Sequence, residues 1–255
     1  MTGEHDLYQR FAPAIGSLPD GKLSREELLT SHFLMERDDT LAIYYAPFDF
    51  VNTSARVMIV GITPGFTQMA VGYERARSLI RAGRSAADVC DEAKRAARFA
   101  GSMRDNLIAM LDGIELHTRL GIPSSATLFD TRCNLLHSTS AVRYPVVVSG
   151  ANYTGHHPPL GDTPRLMRYV RTVLADEFHQ VPQALIIPLG KVVAQIMEAL
   201  AIEGYVDISR CLIGFPNPSG ANGHRTREYR ERRETLRETV EGWFATNPLT
   251  ILSSQ

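Results

Sequence analysis

The sequence predicts an α/β protein whose central sheet is parallel and covered by helices. Apolar runs with strand character, Arg56 to Gly61, Ala184 to Leu189 and Ile208 to Phe215, alternate with stretches whose apolar positions recur at helical spacing. That alternation is the pattern of a parallel sheet with helices on both faces. The second observation is a pair of Gly/Pro loops, Gly61-Ile62-Thr63-Pro64-Gly65 and Pro216-Asn217-Pro218-Ser219-Gly220, each placed directly after such a run. Both polar clusters therefore emerge at carboxyl ends of strands, the edge where open α/β sheets bind ligands.

Taken in order, roughly residues 1–39 are expected to form a helical amino-terminal extension. Leu41 to Tyr45 and Arg56 to Gly61 read as strands joined by a short loop holding Pro47 and Asn52. Tyr73 to Ala82 and Ser85 to Asp112 are rich in Ala and Arg, with apolar residues at helical spacing, and Ser85 suits the N-cap of the second helix. Thr127 to Ala141 reads as a strand region. Arg143 to Gly161, with its glycines, prolines and adjacent histidines, reads as a long turn-rich loop of the kind that carries function. Thr163-Pro164 opens a helix running to about Gln180. Strand Ala184 to Leu189, helix Gly190 to Ala201, strand Ile208 to Phe215 and a charged amphipathic helix from Thr226 to Phe244 complete the chain. No linker is recognisable, so one domain over residues 1–255 is expected.

The formal net charge of −1 argues against a polybasic nucleic-acid binder, so any contact with nucleic acid must be local. Charge is unevenly spread: residues 1–50 carry nine acidic and four basic side chains, and residues 71–104 carry eight basic and four acidic. The basic excess follows the first loop. Cys90, Cys133 and Cys211 form no Cys-x-x-Cys pair, and His156-His157 cannot both face one metal from a regular element, so no metal or cofactor is expected. The segment Met1 to Phe11 is acidic and polar where a signal peptide is basic and then apolar, and no run of about eighteen apolar residues occurs. A cytoplasmic monomer without membrane contact is the expectation.

The two loops together resemble the two active-site motifs of the uracil-DNA glycosylase superfamily, nearest in type to the mismatch-specific uracil/thymine branch, whose motifs read Gly-Ile-Asn-Pro-Gly and Asn-Pro-Ser-Gly. The likeness extends more weakly to Pro188-Leu189-Gly190-Lys191 and covers roughly residues 56–240. This chain departs at one position, Thr63, where the family has Asn. The resemblance implies a three-layer α/β/α sandwich around a short, mostly parallel central sheet. It also implies an activity: hydrolysis of the N-glycosidic bond of uracil or a modified or mismatched pyrimidine flipped out of DNA, with release of free base and no cofactor.

Such hydrolysis is chiefly electrostatic, because the sugar departs as an oxocarbenium-like centre and the base leaves as an anion. By the resemblance, Thr63 positions the attacking water and Asn217 stabilises the leaving base. Gly61, Ile62, Pro64 and Gly65 line the base. Phe66 or Tyr73 stacks on it, and Asn134 or, better, Asn152 reads its edge. Ser219 and Gly220 grip a phosphate with Arg225, while Ala221, Asn222 and His224 occupy the place of the wedge that fills the gap left by the flipped nucleotide. Read as residues alone, Thr63-Pro64-Gly65 is equally a turn that ends a strand, with the hydroxyl bonded to nearby backbone. Ala221 is smaller than the usual wedge. Two other functions compete: a DNA-binding protein that lost the chemistry with the Asn, and an N-glycosidase acting on a free nucleoside or nucleotide.

Overall fold

The computed structural model describes residues 4–99 and 101–248. In chain order the elements are α1 (Glu4–Gly16), α2 (Arg25–Leu28), β1 (Leu34–Arg37), β2 (Leu41–Tyr44), β3 (Val57–Gly61), α3 (Phe66–Arg81), α4 (Ala86–Ala97), α5 (Ser102–Gly113) and α6 (Leu116–Arg119). They continue with β4 (Leu136–Ser140), β5 (Val146–Val148), β6 (Ala151–Asn152), α7 (Pro164–Tyr169), α8 (Ala175–Gln180), β7 (Leu185–Pro188), α9 (Lys191–Ile202) and α10 (Arg225–Thr246). The chain is an α/β sandwich, with a three-stranded sheet of order β4-β3-β7 flanked by helices. Among the described residues, no helix is long and apolar enough to cross a membrane.

Two compact units, each discontinuous in sequence, make up the chain. One comprises Met1–Val51, Gly61–Ala100 and Ser138–Gln180; the other comprises Asn52–Val60, Gly101–His137 and Val181–Gln255. In the second unit β3 and β7 pair in parallel, Val57 opposite Leu185 through Val60 opposite Pro188. Val57, Met58, Ile59 and Val60 are all fully buried, which is why β3 reads as an unbroken apolar run. The predicted last strand shrinks to a single parallel bridge, Ile186 to Cys211, after a 3₁₀ turn at Ile208–Arg210. The backbone beyond it still tracks the sheet, since Leu212 N–H donates to Ile186 O at 2.8 Å and Gly190 N–H to Phe215 O at 2.9 Å. Helix α10 buries Leu236, Val240 and Phe244, a narrow stripe on a face otherwise given to charged residues.

The first unit holds a sheet that sequence reasoning missed, antiparallel and of order β1-β2-β5-β6. The strand read at Leu41 to Tyr45 is present as Leu41–Tyr44 and pairs with β1 and β5. The extension is helical only in part, because Leu34–Arg37 is strand. Likewise, the long loop after Arg143 contributes β5 and β6. The expected helix over Ser85 to Asp112 is two helices, α4 and α5, and Ser85 does cap the first, accepting from Asp88 N–H at 3.2 Å. The Thr163-Pro164 helix runs to Gln180 with a π turn at Val170–Leu174 between α7 and α8. An aromatic chain fills the core of this unit: Phe11 stacks on Tyr45 at 4.5 Å between ring centres, Tyr45 meets Tyr144 at 5.8 Å, and Tyr144 meets Tyr169 at 6.0 Å.

Cys90 and Cys211 are buried free thiols, and loss of water around the thiolate pushes each up to about 12 from an ordinary value of 9.0. The stability they carry is complete below pH 9, where unfolded thiols are also protonated, and is lost as the pH rises toward 12. Buried Lys94 works in the opposite sense, because burial pushes its ammonium down to about 8 from 10.5. Its penalty is full below pH 8 and fades toward 10.5. Two thiols against one lysine leave a net decline of roughly 1.4 kcal/mol per pH unit between pH 9 and 10. Denaturant midpoints measured from pH 8 to 10 are expected to peak near pH 9, and Cys90→Ala is expected to flatten the fall. A variant with the same slope as the wild type would remove Cys90 from this account.

Candidate active site

The second loop is the better built of the two. Asn217 is half-buried and its Oδ1 accepts from Ser219 N–H at 3.0 Å, closing an Asx turn. Its backbone carbonyl accepts from Asn222 Nδ2 at 3.2 Å. With Oδ1 held inside the turn, Nδ2 is the half of the carboxamide that has no partner among the described residues. Gly190 makes this placement possible. It sits at φ +86°, and a Cβ there would lie 2.9 Å from Asn217 Cβ, so only glycine fits. The weak third likeness at Pro188 to Lys191 thus has a physical content: it is the floor against which Asn217 rests.

Ser219 Oγ accepts from Ala221 N–H at 3.3 Å, and Asn222 Oδ1 accepts from His224 N–H at 3.1 Å, so the loop is stitched by its own side chains. Arg225 begins α10 and turns Nη1 back onto the loop, donating to Ser219 O at 2.8 Å and Pro218 O at 3.4 Å. It is a brace of the loop as well as a candidate phosphate contact. Asn106 on α5, unsuspected from the sequence, donates to Pro218 O at 3.0 Å. Gly220, Ala221 and His224 are exposed and Asn222 is half-buried.

The first loop belongs to the other unit. There the Thr63 hydroxyl donates to Tyr144 O at 2.8 Å and accepts from Val146 N–H at 3.1 Å. Its proton is engaged, and the side chain clamps the first loop to the strand entering the antiparallel sheet. The expectation that Thr63 orients water is therefore revised: the hydroxyl keeps one acceptor lone pair and no donor for a water. Replacing Thr63 with Val is expected to destabilise the chain by about 1–3 kcal/mol, since both backbone groups lose a partner, while Ser in the same place retains most of it. Urea unfolding of both variants checks this, and a Val variant as stable as the wild type would refute the clamp.

Tyr73 is a core residue. It is fully buried, packs edge-on against Phe33 at 4.7 Å and donates its hydroxyl to Tyr45 O at 2.6 Å, so the stacking role expected of it is withdrawn. Phe66 is half-buried at the start of α3, and the Arg25 guanidinium lies over its ring, 4.1 Å from the centre. Asn152, exposed on β6, accepts from Phe66 N–H through Oδ1 at 3.1 Å, and its Nδ2 would stand 3.1 Å from a Cβ at Gly65. Gly61 and Ile62 carry the loop onward by accepting from Ala141 N–H at 2.8 Å and Val142 N–H at 3.0 Å, and Pro64 is buried behind it. Asn134 is exposed in a 3₁₀ turn of the other unit, with its carbonyl accepting from Asn52 Nδ2 at 2.9 Å.

Below Thr63 lies a buried ionic network with no sequence signal beyond scattered charges. Asp49 accepts from the hydroxyls of Tyr45 and Tyr144, each at 2.6 Å. Arg143, only 2 % exposed, donates Nε to Glu177 Oε1 at 2.6 Å and stands 3.8 Å from Asp49, while Glu177 is fully buried. Lys94 donates to Phe50 O at 2.7 Å. Tyr144 belongs to both systems: its carbonyl holds Thr63 and its hydroxyl holds Asp49.

An α/β sandwich bearing a polar, glycine-floored loop beyond its parallel strands is the class of protein that the fold and the second loop define. No protein-family model matches the chain. It is 39% identical over 247 residues, 96% of this chain and 96% of the relative, to a protein of Bacillus subtilis (strain 168) named "Uncharacterized protein YoxB". The chain belongs to the same family as that Bacillus protein.

Proposed function

We propose that the chain is a DNA glycosylase of the uracil-DNA glycosylase superfamily, acting in the cytoplasm on uracil or a modified pyrimidine flipped out of DNA. The observation that carries this reading is the Asn217 carboxamide, whose acceptor half is locked by Ser219 N–H and whose donor half is left to a ligand. A donor fixed in advance is what a leaving base requires as negative charge grows on its oxygen. In the reaction the bond from C1′ to the base nitrogen breaks with its electron pair passing to the base. Water oxygen bonds to C1′, and the proton it sheds ends on the base. The rate enhancement rests mainly on stabilisation of the leaving base by the Asn217 donor.

The engaged Thr63 hydroxyl also favours a second reading, a DNA-binding protein without the chemistry. One experiment separates the two. Oligonucleotides bearing a panel of modified pyrimidines are incubated with the protein, treated with alkali to cut abasic sites, and assayed in parallel for salt-dependent binding. Strand cleavage supports the glycosylase. Salt-dependent binding without cleavage supports the second reading, and the absence of both removes the two together.

A further inference from the structure

We propose that Arg25, seated on Phe66 beside the first loop, binds a backbone phosphate of the DNA strand that carries the target base. The proposal rests on the glycosylase reading and adds a contact from a part of the chain outside both motifs. Ser24 caps α2, accepting from Glu27 N–H at 3.3 Å while Glu27 Oε2 accepts from Ser24 N–H at 2.7 Å, and this box fixes Arg25 in the first turn. The guanidinium carbon then lies 4.1 Å from the centre of the Phe66 ring. A ring contact of this kind immobilises the fork without occupying its N–H edge. The Arg25 side chain has no carboxylate or hydrogen-bond partner among the described residues, so its donors are available.

A second donor borders the same residue. Asn152 receives Phe66 N–H on Oδ1 and is left with Nδ2, which faces Gly65. The absence of a side chain at Gly65 keeps the place open, because a Cβ there would press on Asn152 Nδ2 at 3.1 Å. Two separate segments, α2 and β6, thus each bring an unspent donor to the residue that opens α3. Such a rim suits an anion. On a protein with net charge −1, a prepositioned arginine is the local attraction that a phosphodiester needs.

The test measures affinity for an oligonucleotide bearing a released pyrimidine, as a function of salt, for the wild type, Arg25→Ala, Arg25→Lys and Phe66→Leu. Arg25→Ala is expected to weaken binding on the order of tenfold and to lower the salt slope by about one unit, equally for all base sequences. Arg25→Lys keeps the slope and loses part of the affinity. Phe66→Leu, which removes the seat and not the charge, weakens binding while keeping the slope. If the wild type binds and cleaves and Arg25→Ala matches it in affinity and slope, the phosphate contact is wrong and the glycosylase reading stands. A loss confined to one base identity also overturns it, and a wild type that binds no DNA overturns both.

Discussion

Replacing Asn217 with alanine is expected to lower the single-turnover rate of base release by on the order of a hundredfold, the usual effect of removing one donor aimed at a developing anion. The chain should remain folded. Asn217 is only half-buried, and alanine forfeits the acceptor for Ser219 N–H and little packing. Asn217→Asp makes the sharper comparison, because the carboxylate keeps the Asx turn and replaces the donor with a second acceptor. It should be at least as slow as the alanine variant while retaining the loop. Rapid-quench assays with saturating enzyme read the chemical step directly. An aspartate variant with the wild-type rate would show that Nδ2 does not meet the base.

The largest effect on stability is expected at the buried ion pair. Glu177→Ala leaves Arg143 charged in the interior of the first unit and should cost about 3–5 kcal/mol, the range for removing one partner of a buried pair. Asp49 at 3.8 Å and the nearby Lys94 ammonium do not make up the loss, since one is a longer contact and the other a like charge. Replacing both residues with apolar ones of similar volume, Arg143→Met with Glu177→Leu, should recover most of it. Chemical denaturation of the two variants decides the matter. Equal stability of Glu177→Ala and wild type would mean that Arg143 is adequately held without the carboxylate.

The elements legible in the sequence were those whose pattern is local. β3 and β7 are buried on every side and read as unbroken apolar runs, and α9 shows its periodicity plainly. Ser85 announced the start of α4 through a contact only three residues long. The antiparallel sheet escaped because its strands are short, four residues or fewer, and because its two hairpins are joined only by a pairing about a hundred positions apart, such as Ala42 with Val147. The second motif was readable as a loop, yet its orientation depended on Gly190, which lies twenty-seven residues away and whose fit against Asn217 has no local signature.

The α/β class, the order of strands and helices around the parallel pair, and the placement of both motif loops directly after strand-like runs are legible in the residues themselves. These follow from periodicity and turn chemistry, which act over a few residues. The tertiary structure alone decided what each side chain in the loops is free to do. Thr63 could hold a water or a backbone until Tyr144 O and Val146 N–H were seen to claim its hydroxyl. Tyr73 could stack on a base or fill a core until it was found buried on Tyr45 O. A hydroxyl or an aromatic ring has the same chemistry in either role. What separates the roles is which distant backbone group stands within about 3 Å of it, and that distance is a property of the folded chain.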